Sequence, residues 1–339
     1  RDSIYIVRRI ADATPFHRMP GDVAGFYSAT DNGIAAYADI GGMGQTVLLH
    51  EYAHHYMLGL ASTVYPPWYV EGFAEYMSTA RFLPDRIEFG LADRNRAEWL
   101  VYEWDAWMPV ERLLARDAGR GRHDNVAMFY AQSWLLTHYM FRAPGMLPRL
   151  RPYLQAVAAG TDPVAAFKAH VDPDLRAFQQ KLRTYIRSRN LTFSRFDRPA
   201  ATPASVTIRE LPASAGRLLL MQSALDLGRF DADAGDAAAR DKALARVRKA
   251  AEPFPGDLYA DKVLALAEQR LGDPAAAAAQ IDTLLKATPN DADLLRWRAE
   301  LLLDGKPDDA QRREARRLLA RAFKACLLYT SDAADDLLC

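Results

Sequence analysis

Apolar and polar residues alternate over Ser3–Val7, and a period of two predicts a short strand. Gly25-Phe-Tyr-Ser, bounded by Gly25 and by Thr30-Asp-Asn-Gly33, and Ile34–Ile40 beyond that turn signal extend the strand-like opening. Gly41-Gly42 and Gly44 break the pattern. From Gln45 the period changes: Val47, Leu48, Leu49, Tyr52 and Met57 recur at helical spacing, so residues 50–54 sit inside a helix. Pro66-Pro67 then opens a second helix, Trp68 to Thr79, because proline is tolerated in a first turn, where its missing N–H costs nothing. After a polar stretch, Arg81–Arg96, helical patterns return at Val110–Ala115, Val126–Phe141, Met146–Ala158, Pro163–His170 and Pro173–Arg189. The proline-rich, aperiodic Phe193–Pro212 reads as a linker.

From Gly216 the chain becomes Ala- and Leu-rich paired helices. Phe254-Pro255 recurs as Thr288-Pro289, 34 residues on, and Ala265 recurs as Ala299 at the same period. Gly272 falls at the turn between helices, with Ala277 and Ile281 on the second one. This pattern resembles tetratricopeptide repeats, although Gly305 is one residue out of phase and the first unit, Arg217 to Pro255, needs a longer loop at Gly228–Ala238. A generic helical bundle is the alternative. The expected fold is α+β: a mostly helical domain with a small N-terminal mixed sheet over 1–200, a linker over 201–215, and all-α repeats over 216–325.

Residues 326–339 resemble the conceptual translation of a sequencing-library adapter, so they are expected to be non-native. Both cysteines, Cys326 and Cys339, lie there, and the rest of the chain can form neither a disulfide nor a thiolate metal site. Lys plus Arg and Asp plus Glu both total 43. Without the tail's Asp332, Asp335 and Asp336 there are 43 bases against 40 acids, a near-neutral balance that gives no support to a nucleic-acid partner. No apolar run is long enough to span a membrane. The chain starts at Arg1 and enters a strand almost at once, so upstream sequence is expected to be missing and the compartment, exported or not, is not readable.

His50-Glu51-Tyr-Ala-His54 carries the chemistry. Residues four apart share one helical face, so both imidazoles reach a single ion while Glu51 projects beside them toward a water. Catalytic zinc takes three protein ligands, so a third is required, on a second helix packed against the first. His50-Glu-x-x-His54 followed by Trp68-Tyr-Val-Glu71-Gly-Phe-Ala-Glu75-Tyr resembles the MA-like gluzincin peptidases, a broad group that includes zinc aminopeptidases. The resemblance implies one Zn2+ per chain held by His50, His54 and Glu71, and hydrolysis of peptide or protein substrates with Glu51 as base. Glu75, one turn after Glu71, competes as a ligand; the geometry favours instead a hydrogen bond accepted from the outward nitrogen of a ligand histidine. Tyr130, in Phe129-Tyr-Ala-Gln-Ser-Trp134, loosely matches the family's oxyanion-binding tyrosine, its alternative being a core side chain.

His55 points about 100° away from His54 and reads as a packing or hydrogen-bonding residue. His123 and His138 read as structural, and His17 and His170 have no role assigned. The aminopeptidases' amine-capturing G-x-M-E-N segment has no match, since Gly41-Gly-Met-Gly44 lacks the acid, and exopeptidase action is unsupported. Substrate is expected to pair with a sheet edge, the Gly33–Asp39 strand. A rival reading is an inactive zinc-binding protein that engages a partner through the repeats.

Overall fold

The computed structural model describes residues 2–13, 16, 25–30, 33–40, 44–59, 64–115, 125–188, 190–198, 208–230 and 236–330. Its elements in chain order are β1 Asp2–Val7, β2 Gly25–Thr30, β3 Gly33–Asp39, α1 Gly44–Gly59, α2 Pro67–Ser78, β4 Arg81–Phe82, β5 Arg86–Phe89, α3 Arg94–Tyr102, α4 Val110–Ala115, α5 Val126–Arg142, α6 Leu147–Ala158, α7 Pro163–His170, α8 Leu175–Arg187 and β6 Ser194–Asp197. The helices α9 Ala215–Asp226, α10 Ala237–Ala251, α11 Leu258–Leu271, α12 Pro274–Ala287, α13 Ala292–Leu303 and α14 Asp309–Thr330 follow. The fold is mostly helical α+β, and the described residues form two three-stranded sheets, ordered β1-β3-β2 and β4-β5-β6. No helix among the described residues is long and apolar enough to cross a membrane.

Two compact units divide the chain. One comprises Ala24–Tyr27 and Ala36–Ala201 and holds the histidine motif. Its core gathers Trp68, Trp134, Tyr153, Phe167 and Phe178, none with measurable exposure. The caps show why its helices start where they do: Asn125, Asp162 and Asp174 each accept a hydrogen bond from a first-turn amide of α5, α7 and α8. The other unit comprises Arg1–Val23, Ser28–Ala35 and Thr202–Cys339, so the N-terminal segment expected with the first domain groups with the C-terminal helices. Phe16 stacks on Phe230 at 5.8 Å, with Arg246 over its ring. Trp297, Leu266, Val263 and Ile281 centre that unit's core.

Two expectations are corrected. Gly33–Asp39 is the central strand of its sheet, not an edge; its backbone groups are committed on both sides and it has no free ladder for an extended substrate. The polar stretch Arg81–Arg96, for which no element was expected, forms β4, β5 and the start of α3. The linker begins later than expected, because Ser194–Asp197 pairs antiparallel with β5, Ile87 opposite Phe196. Phe196 stacks on Phe89 at 5.1 Å, an aromatic cross-strand pair that stabilises so short a strand. α14 continues to Thr330, so the adapter-like segment starts inside a helix.

Candidate metal centre

α1 presents alternate faces to different surroundings. Ala53 and Met57 are buried, Tyr52 and Tyr56 are more than half exposed, and His50 and His54 lie one turn apart on the inward side. Their Nε2 atoms approach to 3.1 Å, with the rings edge to face. α2 brings the third group. Pro67 opens the helix, and Trp68 is fully buried and donates from Nε1 to the Tyr153 hydroxyl at 2.9 Å, which fixes the first turn. One turn on, Glu71 Oε2 stands 3.5 Å from His50 Nε2 and 3.5 Å from His54 Nε2.

Among the described residues, His50, His54 and Glu71 form a group that can hold a metal ion. Their spacing tests the fit. The point nearest to all three atoms and equidistant from them lies about 2 Å from each, close enough for one ion to be bound by all three. Glu71 Oε2 is buried without a hydrogen-bond partner, as suits a donor reserved for an ion.

The electrostatics follow from burial against charge. Burial pushes the Glu71 carboxyl up, but the imidazoles of His50 and His54, each with Nε2 3.5 Å from Oε2, outweigh it and bring it down to about 2. The same contacts work oppositely on His50, where burial is outweighed by Glu71, Glu75 and Glu51 and the ring's proton affinity rises. Glu51 is only 7% exposed. Burial lifts its carboxyl above the ordinary range, the two histidines oppose the rise, and Glu71 and Glu75 add to it. A buried carboxyl of raised proton affinity beside a metal-capable group is suited to accept a proton.

Glu75 stays outside the triangle. Its Oε1 lies 3.4 Å from His50 Nδ1, the outward nitrogen, and both its oxygens receive Arg96: Nε at 2.8 Å and Nη2 at 2.6 Å. Tyr130 on α5 joins the cluster, its ring 6.1 Å from that of His50 and 5.4 Å from the Arg96 guanidinium. Burial, followed by the carboxylates of Glu71, Glu75 and Glu51, holds its phenol protonated far above the usual tyrosine range. Gly72 permits this meeting of helices: a Cβ there would fall on the Ser133 carbonyl oxygen and the Thr137 hydroxyl of α5. The glycine after Glu71 thus lets the backbone of α2 approach both the backbone and a side chain of α5.

The remaining histidines lie elsewhere. His55 Nδ1 is 3.2 Å from the Tyr27 hydroxyl, away from the triangle. His138 is fully buried, its Nε2 donating to the Gly90 carbonyl at 3.1 Å and its Nδ1 accepting from Tyr185 at 2.9 Å, and burial brings its pKa down to about 4. His170 is exposed in the last turn of α7. His17 and His123 lie outside the described residues. Sequence reasoning missed Arg96, whose contact with Glu75 spans 21 residues and leaves no periodic trace. Compared with protein-family models, with curated proteins and with solved structures, the chain finds no match.

Proposed function

We propose that this protein is a zinc-dependent peptidase of the gluzincin type, with His50, His54 and Glu71 as metal ligands and Glu51 as general base. The observation that carries the reading is the triangle of Nε2, Nε2 and Oε2 atoms at 3.1 and 3.5 Å, with a buried carboxyl on the residue next to His50. Bound zinc supplies Lewis-acid polarisation of the scissile carbonyl and acidifies a water toward neutral pH. Glu51 takes the proton of the attacking water and delivers it to the leaving amine. Tyr130, kept protonated by its surroundings, donates to the oxygen on which charge develops. Glu75 Oε1, 3.4 Å from His50 Nδ1, is placed to keep the ring proton on that nitrogen, which leaves Nε2 with a lone pair for the ion. A protein needing metal only for structure has no use for a base at Glu51, which disfavours the inactive reading.

The paired helices α9–α14 we read as tetratricopeptide-like repeats that select substrate or partner. In support, Asp257 and Asp291, 34 residues apart, cap α11 and α13 in the same way.

The test is metal content and hydrolysis of quenched peptides by the purified protein. About one zinc per chain is expected, lost in His50→Ala, and Glu51→Gln should keep the zinc while abolishing cleavage. Full occupancy in His50→Ala, or near wild-type turnover in Glu51→Gln, would refute the assignment.

A further inference from the structure

Arg96 stands on α3, where Asp93 caps the helix by accepting the backbone N–H of Arg96 itself at 2.7 Å. Its side chain reaches two parts of the metal site at once. The bond to Glu75 is a fork, Nε to Oε2 and Nη2 to Oε1, and that same Oε1 faces His50 Nδ1 at 3.4 Å. Glu75's side chain is 5% exposed, so without a cation its charge would be costly to bury. The guanidinium also lies over the Tyr130 ring, 5.4 Å from its centroid.

We infer that Arg96 is a positioning residue of the metal site: it grips both oxygens of Glu75, and through that carboxylate fixes the ring of His50, while bracing Tyr130. The inference rests on the proposed role of His50, His54 and Glu71 as metal ligands. Turning about its own terminal bond is the freedom by which Glu75 would leave Nδ1, and a two-point bond removes it. A His50 ring so held keeps its Nδ1 proton toward Glu75 and its Nε2 lone pair toward His54 and Glu71. Lysine cannot do the same, because a single ammonium binds as a point charge and leaves the carboxylate free to turn.

The test is zinc affinity, measured by competition with a chromophoric chelator, on the whole chain. Arg96→Ala is expected to weaken binding roughly ten- to a hundredfold, as loss of a ligand's outer partner does. Arg96→Lys should recover only part of it. In a double-mutant cycle, Arg96→Ala should cost less than about twofold once Glu75→Gln is present, because Arg96 acts through Glu75. A merely structural arginine would give equal losses in both backgrounds, and that result would overturn the inference. Should Arg96→Ala fail to fold, Arg96→Lys and its cycle with Glu75→Gln decide in the same way. Zinc bound equally tightly with and without the substitutions would sink the inference alone; no zinc bound by the unsubstituted protein would sink the metal reading with it.

Discussion

Gly72→Ala is a small change with a large expected effect. A Cβ at this position meets the Ser133 carbonyl oxygen as closely as the Thr137 hydroxyl, and the carbonyl is backbone of α5, which cannot rotate away as the Thr137 side chain can. Relief requires α2 to withdraw from α5 by on the order of 1 Å, in a core at native packing density. Overpacking of this kind costs about 1–3 kcal/mol, while alanine's better helix propensity returns up to about 1 kcal/mol. The net expectation is a loss of about 1–2 kcal/mol, together with reduced activity, since Glu71 sits beside the glycine and Tyr130 lies on the helix that is pushed away. Gly216→Ala is the control. That residue is exposed near the start of α9, with nothing within 4 Å of the added Cβ, and should be neutral or stabilising by up to about 1 kcal/mol. Urea unfolding followed by tryptophan fluorescence reads the effect, because Trp68 and Trp134 are buried in the core concerned. A Gly72→Ala midpoint equal to or above wild type would refute the close-approach reasoning.

His138 gives a pH prediction. Its folded pKa of about 4 lies below the ordinary value near 6.5, so the unfolded chain binds the extra proton; the stability is fully present above about pH 6.5 and is lost as pH falls toward 4, by about 3 kcal/mol at most. Urea midpoints measured from pH 7 to 4 should fall less steeply for His138→Gln, and parallel slopes would refute the assignment. Removing metal should also destabilise: an ion present at about a hundred times its dissociation constant contributes about 2.7 kcal/mol, so chelation should lower the melting temperature by roughly 5–10 °C, reversibly with added zinc. Identical calorimetric transitions with and without chelator would show that no ion stabilises the native state.

The parts of the site legible in the sequence are those set by spacing within one helix. His50 and His54 are placed by the i, i+4 repeat, and Glu71 and Glu75 by the same repeat on α2, so each pair's shared face follows from helical geometry alone. Helix limits were also readable to within a residue or two, as for Pro67–Ser78 against the expected Trp68–Thr79, because proline and capping side chains act locally. What escaped depends on contacts distant in the chain. β4 is two residues long, and β6 pairs with β5 across more than a hundred residues; neither has enough alternation to announce a strand. Arg96 looks like any arginine in a polar run until α3 turns it toward Glu75. The order β1-β3-β2 likewise places the last strand in the middle, which no local pattern encodes.

Charge balance separates this cluster from an ordinary ion-pair network. In the C-terminal unit, Lys262 binds Asp291 and Asp293, Arg296 binds Asp226 and Glu300, and Arg270 binds Glu300: three cations against four acids, nearly self-compensated. Around His50 and His54 stand three carboxylates, Glu51, Glu71 and Glu75, and one guanidinium, Arg96, which is already committed to Glu75. Among the described residues, and with the histidines neutral, two negative charges remain without a compensating cation in the cluster. Buried charge of one sign is expensive unless it is neutralised by protons or by a bound cation. Protonating the histidines would neutralise it, but would also fill the Nε2 positions that face each other at 3.1 Å. A divalent ion cancels both charges and uses both lone pairs, so the same residues that give the right spacing for a metal also leave the right charge for one.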